Sequence, residues 1–182
     1  PEGSLFSVDT STERVAVPAA GAPGVSVVGV LADRQGRRSL QVEGGRWDGE
    51  LVRVAGWVVL SAAASSDGLL AVCWSELVGA PSTLTEGVLP DPTDGVDLLC
   101  RFRSEAGWTS AQDVAPGAPA AWVQGLTASE EGFELQYRRD SGLLLVDTAP
   151  EDGSYLRSIG PGQSPGPHRR AAPAQGGSAP GE

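Results

Sequence analysis

The sequence predicts an all-β fold in which antiparallel hairpins form a sandwich or a small barrel, and three observations predict it. The apolar segments are short and rich in Val, Leu and Trp. Gly-containing turns separate these segments at regular intervals, as is typical of all-β domains. No long segment repeats apolar residues at the spacing of an amphipathic helix. Part of a β-propeller is the alternative, because strand, Asp-Gly turn and strand follow one another in 58–74, although no G-H…W-D signature occurs.

The composition along the chain predicts three regions. Residues 1–24 are expected to hold an N-terminal strand and a loop rich in Ala, Pro and Gly, and residues 25–159 the all-β domain. Residues 160–182 are mostly Gly, Pro, Ala, Gln and Ser, and bury too little to offset their ordering entropy. A disordered C-terminal tail is therefore expected, and its removal should leave the stability of the domain nearly unchanged.

Four hairpins are predicted within the domain, each from two apolar segments that flank a polar turn. The strands of the four hairpins are expected at 25–31 with 39–42, 51–63 with 69–74, 96–103 with a short segment through residue 108, and 133–138 with 143–146. In the first strand of the last hairpin, Phe133, Leu135 and Tyr137 alternate with polar residues. This alternation predicts a strand with one buried face and one exposed face.

The second hairpin is predicted to be the centre of the fold. A turn centred between Ser66 and Asp67 places Trp74 opposite Val59, with Trp57 as a diagonal neighbour on the same face. The opposite face carries four further apolar residues, namely Leu60, Ala62, Leu69 and Cys73. Because both faces are apolar, both are expected to be covered by other strands.

The net charge of −10 excludes two classes of partner. An acidic surface repels nucleic acid and anionic membranes, so neither is expected to bind. The longest apolar stretch, 54–64, is too short to span a bilayer. Cys73 and Cys100 have no C-x-x-C spacing, so neither a zinc site nor a redox motif is predicted. They either pair or remain buried free thiols, and free thiols are the more frequent case.

The chain lacks the residues that most catalytic mechanisms require. The single histidine, His168, lies in the predicted tail beside Arg169 and Arg170, where nothing holds it in position as a general base requires. A Ser-His-Asp triad, a Cys-His pair and a multi-His metal site are therefore excluded. The chain contains no Lys, which excludes a Walker lysine and a Schiff base. No enzyme activity and no cofactor are expected.

Carboxylates remain as a possible catalytic resource, because a glycosidase needs only two at a set separation. The candidates are Asp48, Glu50, Glu76, Asp97 and Glu134, although exposed surface charge is the expected role of each. Asp91, Asp94 and Asp97 form a run of oxygen ligands, but their spacing differs from a calcium-binding EF-hand loop. A solvated loop is expected there, and no metal site.

The tryptophans provide the candidate ligand-binding residues. Trp47 and Trp108 are predicted at loop edges, where an exposed ring stacks on a sugar, whereas Trp57 and Trp74 are predicted in the core. The function expected from these observations is a non-catalytic β-module for protein binding or assembly, with a protein partner or a homo-oligomer. A carbohydrate-binding module or a carboxylate-only glycoside hydrolase is the alternative. The compartment is not assigned.

Overall fold

A computed structural model describes residues 16–31, 38–54, 57–77, 95–140 and 153–171. These residues contain strands and one short 3-10 helix, Gly45–Trp47, and no α-helix, so the all-β prediction is confirmed. The strands in chain order are β1 Ala16–Ala20, β2 Ser26–Leu31, β3 Arg38–Glu43, β4 Leu51–Arg53, β5 Trp57–Ser66, β6 Leu69–Leu77, β7 Val96–Ser104, β8 Gly107–Trp108, β9 Gln112–Asp113, β10 Ala120–Ser129, β11 Gly132–Asp140, β12 Gly153–Ile159 and β13 Arg169–Arg170.

The described strands form one mixed sheet that is not closed into a barrel. Its order is β13-β12-β11-β10-β7-β6-β5-β1-β2-β3-β4, with β8 and β9 paired beside β7. Two contacts are parallel, β1 with β5 and β10 with β7, whereas only antiparallel pairing was predicted. Both parallel ladders are one or two residue pairs long, so no periodic pattern in the sequence marks them. One continuous sheet also differs from the separate blades of a propeller.

Three of the four predicted hairpins are confirmed, as β2–β3, β5–β6 and β7–β8. The fourth differs: β11 pairs with β10 and with β12, and residues 143–146, its predicted partner, lie outside the described residues. Its predicted alternation is confirmed, because Phe133, Leu135 and Tyr137 are buried while Gln136 and Arg138 are exposed. Strands β10 and β12 were not predicted. In β10, a bulge after Val123 interrupts the alternation of side chains between the two faces.

The central hairpin has the predicted faces from residue 60 to residue 74, but its register differs. Its turn is Asp67-Gly68, with φ of 44° and 81°, which are the left-handed conformations that a two-residue hairpin turn needs. Trp74 therefore lies opposite Ser61 rather than Val59. A shift of two residues preserves the predicted faces between residues 60 and 74. A bulge between Val58 and Leu60 reverses the alternation before that point, so Val58 packs in the core of Trp74 and Trp57 pairs with Leu77, which corrects the prediction that Trp57 and Val59 share the face of Trp74. Trp74 is 1% exposed, as predicted for a core residue, whereas the side chain of Trp57 lies outside the described residues.

Two hydrophobic cores lie on opposite faces of β5 and β6, as the two apolar faces predicted. One core, the first core, joins β5–β7 to β10–β12; among its buried residues are Ala62, Cys73, Phe102, Val123, Phe133, Leu135 and Tyr155. The second core joins the other face to β2–β4; among its buried residues are Val27, Leu40, Trp47, Val52, Ala63, Val72 and Trp74. The hydroxyl of buried Ser75 accepts a hydrogen bond of 2.8 Å from the Val123 N–H, which ties β10 to β6.

Cys73 and Cys100 form a disulfide, which decides between the two alternatives that the sequence left open. The two residues are direct partners in the β6–β7 ladder, with their Cα atoms 4.1 Å apart, and both are fully buried in the first core. Strand pairing across the 27-residue separation brings them together. Nothing in the local sequence reveals that the two segments are neighbours in this register.

The boundaries of the predicted domain also change at both ends. Residues 18–20, predicted as loop, belong to β1, which bridges β2 and β5. At the other end, residues 160–171 are ordered along β12 and end in β13, so the predicted tail boundary at residue 160 is too early. We call residues 160–171 the strap. Residues 172–182 lie outside the described residues.

Candidate functional site

The two predicted ligand-binding tryptophans are less accessible than expected. Trp47 is only 7% exposed and packs in the second core, so its predicted position at an open loop edge is wrong. The Arg46 guanidinium covers its ring at 4.5 Å from the centroid. Trp108 lies at the margin of the same core and is half-buried. The 3-10 turn tucks Trp47 inward, and a residue in a Gly-rich turn gives no periodic signal of this burial.

Trp108 lies beside an ion pair that joins the two sides of the second core. Arg103 Nη2 donates to Glu50 Oε1 at 2.7 Å, and Arg103 Nε donates to Glu50 Oε2. This hydrogen bond holds the pKa of Glu50 below its ordinary value of 4.5. The buried Nε1 of Trp108 makes no hydrogen bond of standard geometry, but its proximity to Glu50 lowers the same pKa. The arrangement is a bidentate structural clamp.

The other carboxylate candidates occupy separate positions. Asp48 accepts a 2.6 Å hydrogen bond from the Gly44 N–H and stabilises a turn. Glu76 is buried and accepts a 2.8 Å hydrogen bond from Trp74 Nε1. Asp97 is the direct cross-strand partner of Glu76, and burial, reinforced by the charge of Asp113, raises the pKa of Asp97. Within the described residues, no three His, Cys, Asp or Glu side chains are arranged to hold a metal, and residues 91–94 lie outside them.

Several charged and aromatic side chains lie near the edge of the sheet that β12 and β13 form. Arg157 on β12 donates from Nε to the carbonyl of Gly166 at 2.5 Å and from Nη2 to that of Pro165 at 3.3 Å, and Nη1 donates to the carbonyl of Val114. The N–H of Gly166 donates to the carbonyl of Ser158 at 3.0 Å. These bonds hold the strap against the body of the sheet.

His168 is held in position by this strap, which corrects the prediction that it lies in a disordered segment. Its ring contacts the edge of the Tyr155 ring, with the centroids 5.4 Å apart and the planes at 88°. Tyr155 in turn stacks on Tyr137 at 5.9 Å, and the Arg139 guanidinium lies 5.8 Å from the Tyr155 centroid. Arg170 is the cross-strand partner of Tyr155.

The two residues of β13 face opposite sides of the sheet. Arg169 is the partner of Leu156 and its Nη2 forms an ion pair of 3.0 Å with Glu134 Oε2. Arg170 lies on the side of Tyr155, and its guanidinium lies over Gly153. A Cβ atom at Gly153 would be only 3.4 Å from Arg170 Nη2. Residues Arg139, Tyr155, His168 and Arg170 therefore share one end of one sheet face; we call these four residues the basic cluster.

The opposite end of the sheet order is β4. Val42 N–H donates to the Glu50 carbonyl at 2.8 Å, which makes Val42 and Glu50 a hydrogen-bonded position of the ladder. Bonded and non-bonded positions alternate, so the backbone groups of Leu51 and Arg53 point outward. Leu51 is 49% exposed and is the one exposed large hydrophobic residue in the described part of the chain. Arg101 Nη1 reaches the Arg53 carbonyl at 3.5 Å and partly covers this edge.

No known protein family, curated protein or solved structure matches this chain. The described segments also contain no helix with the length and apolar character needed to cross a bilayer. The candidate sites therefore stand on their geometry alone.

Proposed function

We propose that this chain is a non-catalytic β-module that binds a protein partner through the open edges of its sheet. The observation that supports the proposal is that, among the residues the structure describes, the sheet ends at β4 and β13 and is not closed into a barrel. An edge strand presents backbone N–H and C=O groups that a partner strand can pair with. Leu51 adds an exposed apolar side chain at one edge, and Arg169 and Arg170 add charge at the other.

The roles of the carboxylates support binding over catalysis. Glu50 and Glu134 form ion pairs, Asp48 stabilises a turn, and Glu76 bonds to an indole N–H. Each of these contacts lies within the fold and gives the carboxylate a structural role that needs no substrate. Apolar cores cover both faces of the central hairpin. This packing makes the middle of the sheet a rigid support for its edge strands.

The disulfide supports an oxidising compartment as the place of action. Disulfides form and persist in secreted and surface-exposed proteins and are rare in the cytosol. The Cys73–Cys100 bond is fully buried, which gives it a structural role. A module that binds protein partners outside the cytosol is consistent with this bond.

The proposal is tested by panning a phage-displayed library of random peptides on the immobilised protein, with sedimentation velocity to detect self-association. Proline lacks the N–H that an edge offers, so Leu51→Pro and Arg170→Pro are the edge-blocking variants. We expect enriched peptides, or self-association, that one of the two variants abolishes while urea unfolding shows that the variant is folded. A monomer that enriches no peptide contradicts the proposal, as does binding that both variants retain.

A second candidate, the carboxylate-only glycoside hydrolase, rests on Glu76 and Asp97. They are cross-strand partners with Cβ atoms about 5 Å apart, so their carboxyl groups are neighbours on one face of the ladder, as a mechanism with two carboxylates requires. The raised pKa of Asp97 suits a general acid. Hydrolysis of chromogenic glycosides that disappears in Asp97→Asn would support this candidate, and activity retained by that variant would exclude the pair.

A further inference from the structure

We propose that the edge of β4 binds an extended segment of a partner protein in which an acidic residue comes two positions before an apolar residue. This inference rests on the proposed function and names the chemistry of its partner at one of the two edges. Three features of β4 support it: the direction of its backbone groups, the two side chains that it exposes, and the charge of Arg53.

Two residues of β4 direct their backbone groups outward. Leu51 and Arg53 are non-bonded positions of the β3–β4 ladder, so the N–H and C=O of each point away from the sheet. Arg101 Nη1 lies 3.5 Å from the Arg53 carbonyl, longer than an ordinary hydrogen bond, and a carbonyl oxygen can accept two. Both residues are exposed. The edge therefore offers two donors and two acceptors to an antiparallel strand.

The same two residues project their side chains from one face of the sheet. Burial alternates along β4, with Leu51 and Arg53 exposed and Val52 buried in the second core. In an antiparallel partner strand, the residue opposite Arg53 comes two positions before the residue opposite Leu51. An acidic residue at the first position would pair with the guanidinium, and an apolar residue at the second would cover the Leu51 side chain, which is 49% exposed.

The charge of Arg53 selects the acidic residue. Its cross-strand partner on β3 is Ser39 and a diagonal neighbour is Gln41, and neither carries a counter-charge. Within the described part of the chain, the Arg53 guanidinium forms no ion pair. Arg101 brings a second guanidinium to the same edge. A charged edge disfavours a neutral strand and favours one that supplies a carboxylate opposite the charge.

A second copy of this chain matches the edge less well than a different protein. When two β4 strands pair antiparallel, outward positions meet outward positions, so Arg53 faces Gly49, Leu51 or Arg53 of the other copy. None of these residues is acidic, and two chains with a net charge of −10 repel each other. A partner segment with a single acidic residue meets less repulsion, and salt at about 0.15 M screens charges beyond about 8 Å.

The test measures the fluorescence anisotropy of labelled threonine peptides that carry Glu-Thr-Val or Lys-Thr-Val at the centre, titrated with the full chain at about 0.15 M salt. The quantity compared is the affinity for the Glu peptide divided by the affinity for the Lys peptide. The Arg53→Glu variant turns the attractive cross-strand pair into a repulsive one and the repulsive pair into an attractive one. We therefore expect this ratio to fall by about tenfold or more from the wild type to Arg53→Glu.

The control variants separate the local pair from the charge of the whole chain. Arg169→Glu makes the same change in net charge at the other end of the sheet order, so it should leave the ratio unchanged. Leu51→Pro removes an outward N–H and should abolish binding of the Glu peptide. A peptide with Ser in place of Val should bind about threefold more weakly, because it covers less of Leu51. Urea unfolding checks that each variant is folded, and if Leu51→Pro is not, the exposed Arg53→Glu substitution decides.

Four outcomes would overturn the inference: no binding of the Glu peptide, a ratio that Arg53→Glu leaves unchanged, an equal change of the ratio in Arg169→Glu, or self-association in sedimentation velocity that Leu51→Pro abolishes. In each case the proposed function survives if one of its two edge-blocking variants abolishes the self-association or the binding of other peptides that panning enriches. If panning and sedimentation also give no binding, the proposed function fails as well. The two failures are therefore distinguishable.

Discussion

Removing the Cys73–Cys100 disulfide should destabilise this protein more than most single changes in its core. The bond closes a loop with a sequence separation of 27 residues. On the chain-entropy model such a loop is worth about 3.6 kcal/mol, because the cross-link restricts the unfolded chain. In Cys73→Ala/Cys100→Ala, the space left by two buried sulfur atoms adds about 1 kcal/mol. The expected loss in the free energy of unfolding is therefore about 4–5 kcal/mol.

Urea unfolding monitored by tryptophan fluorescence measures this loss. The dependence of the free energy on urea should also steepen, since an unfolded chain without the cross-link exposes more surface. The control is the wild-type chain unfolded, reduced and refolded with reductant, which keeps both sulfur atoms and loses only the cross-link. It should lose about 3.6 kcal/mol. A dithiol form as stable as the oxidised form would refute the entropic argument.

Four further changes test the fold and its contacts by urea unfolding. Trp47→Ala should cost about 3–5 kcal/mol, because the ring is buried; a loss below about 1 kcal/mol would support the exposed loop edge instead. Arg157→Leu removes three hydrogen bonds to carbonyls and should cost about 2–3 kcal/mol, with faster proteolysis of the strap as a second readout. Deleting 160–182 should lower the urea midpoint, whereas a disordered tail predicts no change. Arg103 lowers the pKa of Glu50, so the stabilisation by this pair is complete above pH 4.5 and is lost as the pH falls through the lowered pKa. The difference in the free energy of unfolding between wild type and Glu50→Gln should therefore shrink as the pH falls. A difference that stays constant with pH would contradict the pairing.

Features that depend on residues close together in the sequence were predicted more accurately than features that join distant residues. The Asp67-Gly68 turn and the alternation of β11 are local, because turn conformation and side-chain period depend on neighbouring residues. The hairpins and the two covered faces of β5 and β6 were therefore predictable. The register of that hairpin was wrong by two residues, since one position of the turn decides it.

The candidate site was less predictable than the fold. Arg169, Arg170 and His168 stand out in the sequence as a basic triplet, but their segment has almost no apolar residue and therefore indicates disorder. The structure holds this segment through hydrogen bonds from Arg157 and a ring contact with Tyr155, two residues of a strand that the sequence did not predict. Side-chain to backbone hydrogen bonds leave no mark in hydrophobic patterning.

The sequence by itself determined the all-β class, the central hairpin and its two buried faces, because the 2-residue period of strands and the conformational demands of tight turns are local. Only the tertiary structure decided that Cys73 meets Cys100, that Trp47 is buried and that β13 forms one edge of the described sheet. These features join residues far apart in the chain. Their partners are chosen by the packing of whole strands, which no short window of sequence contains.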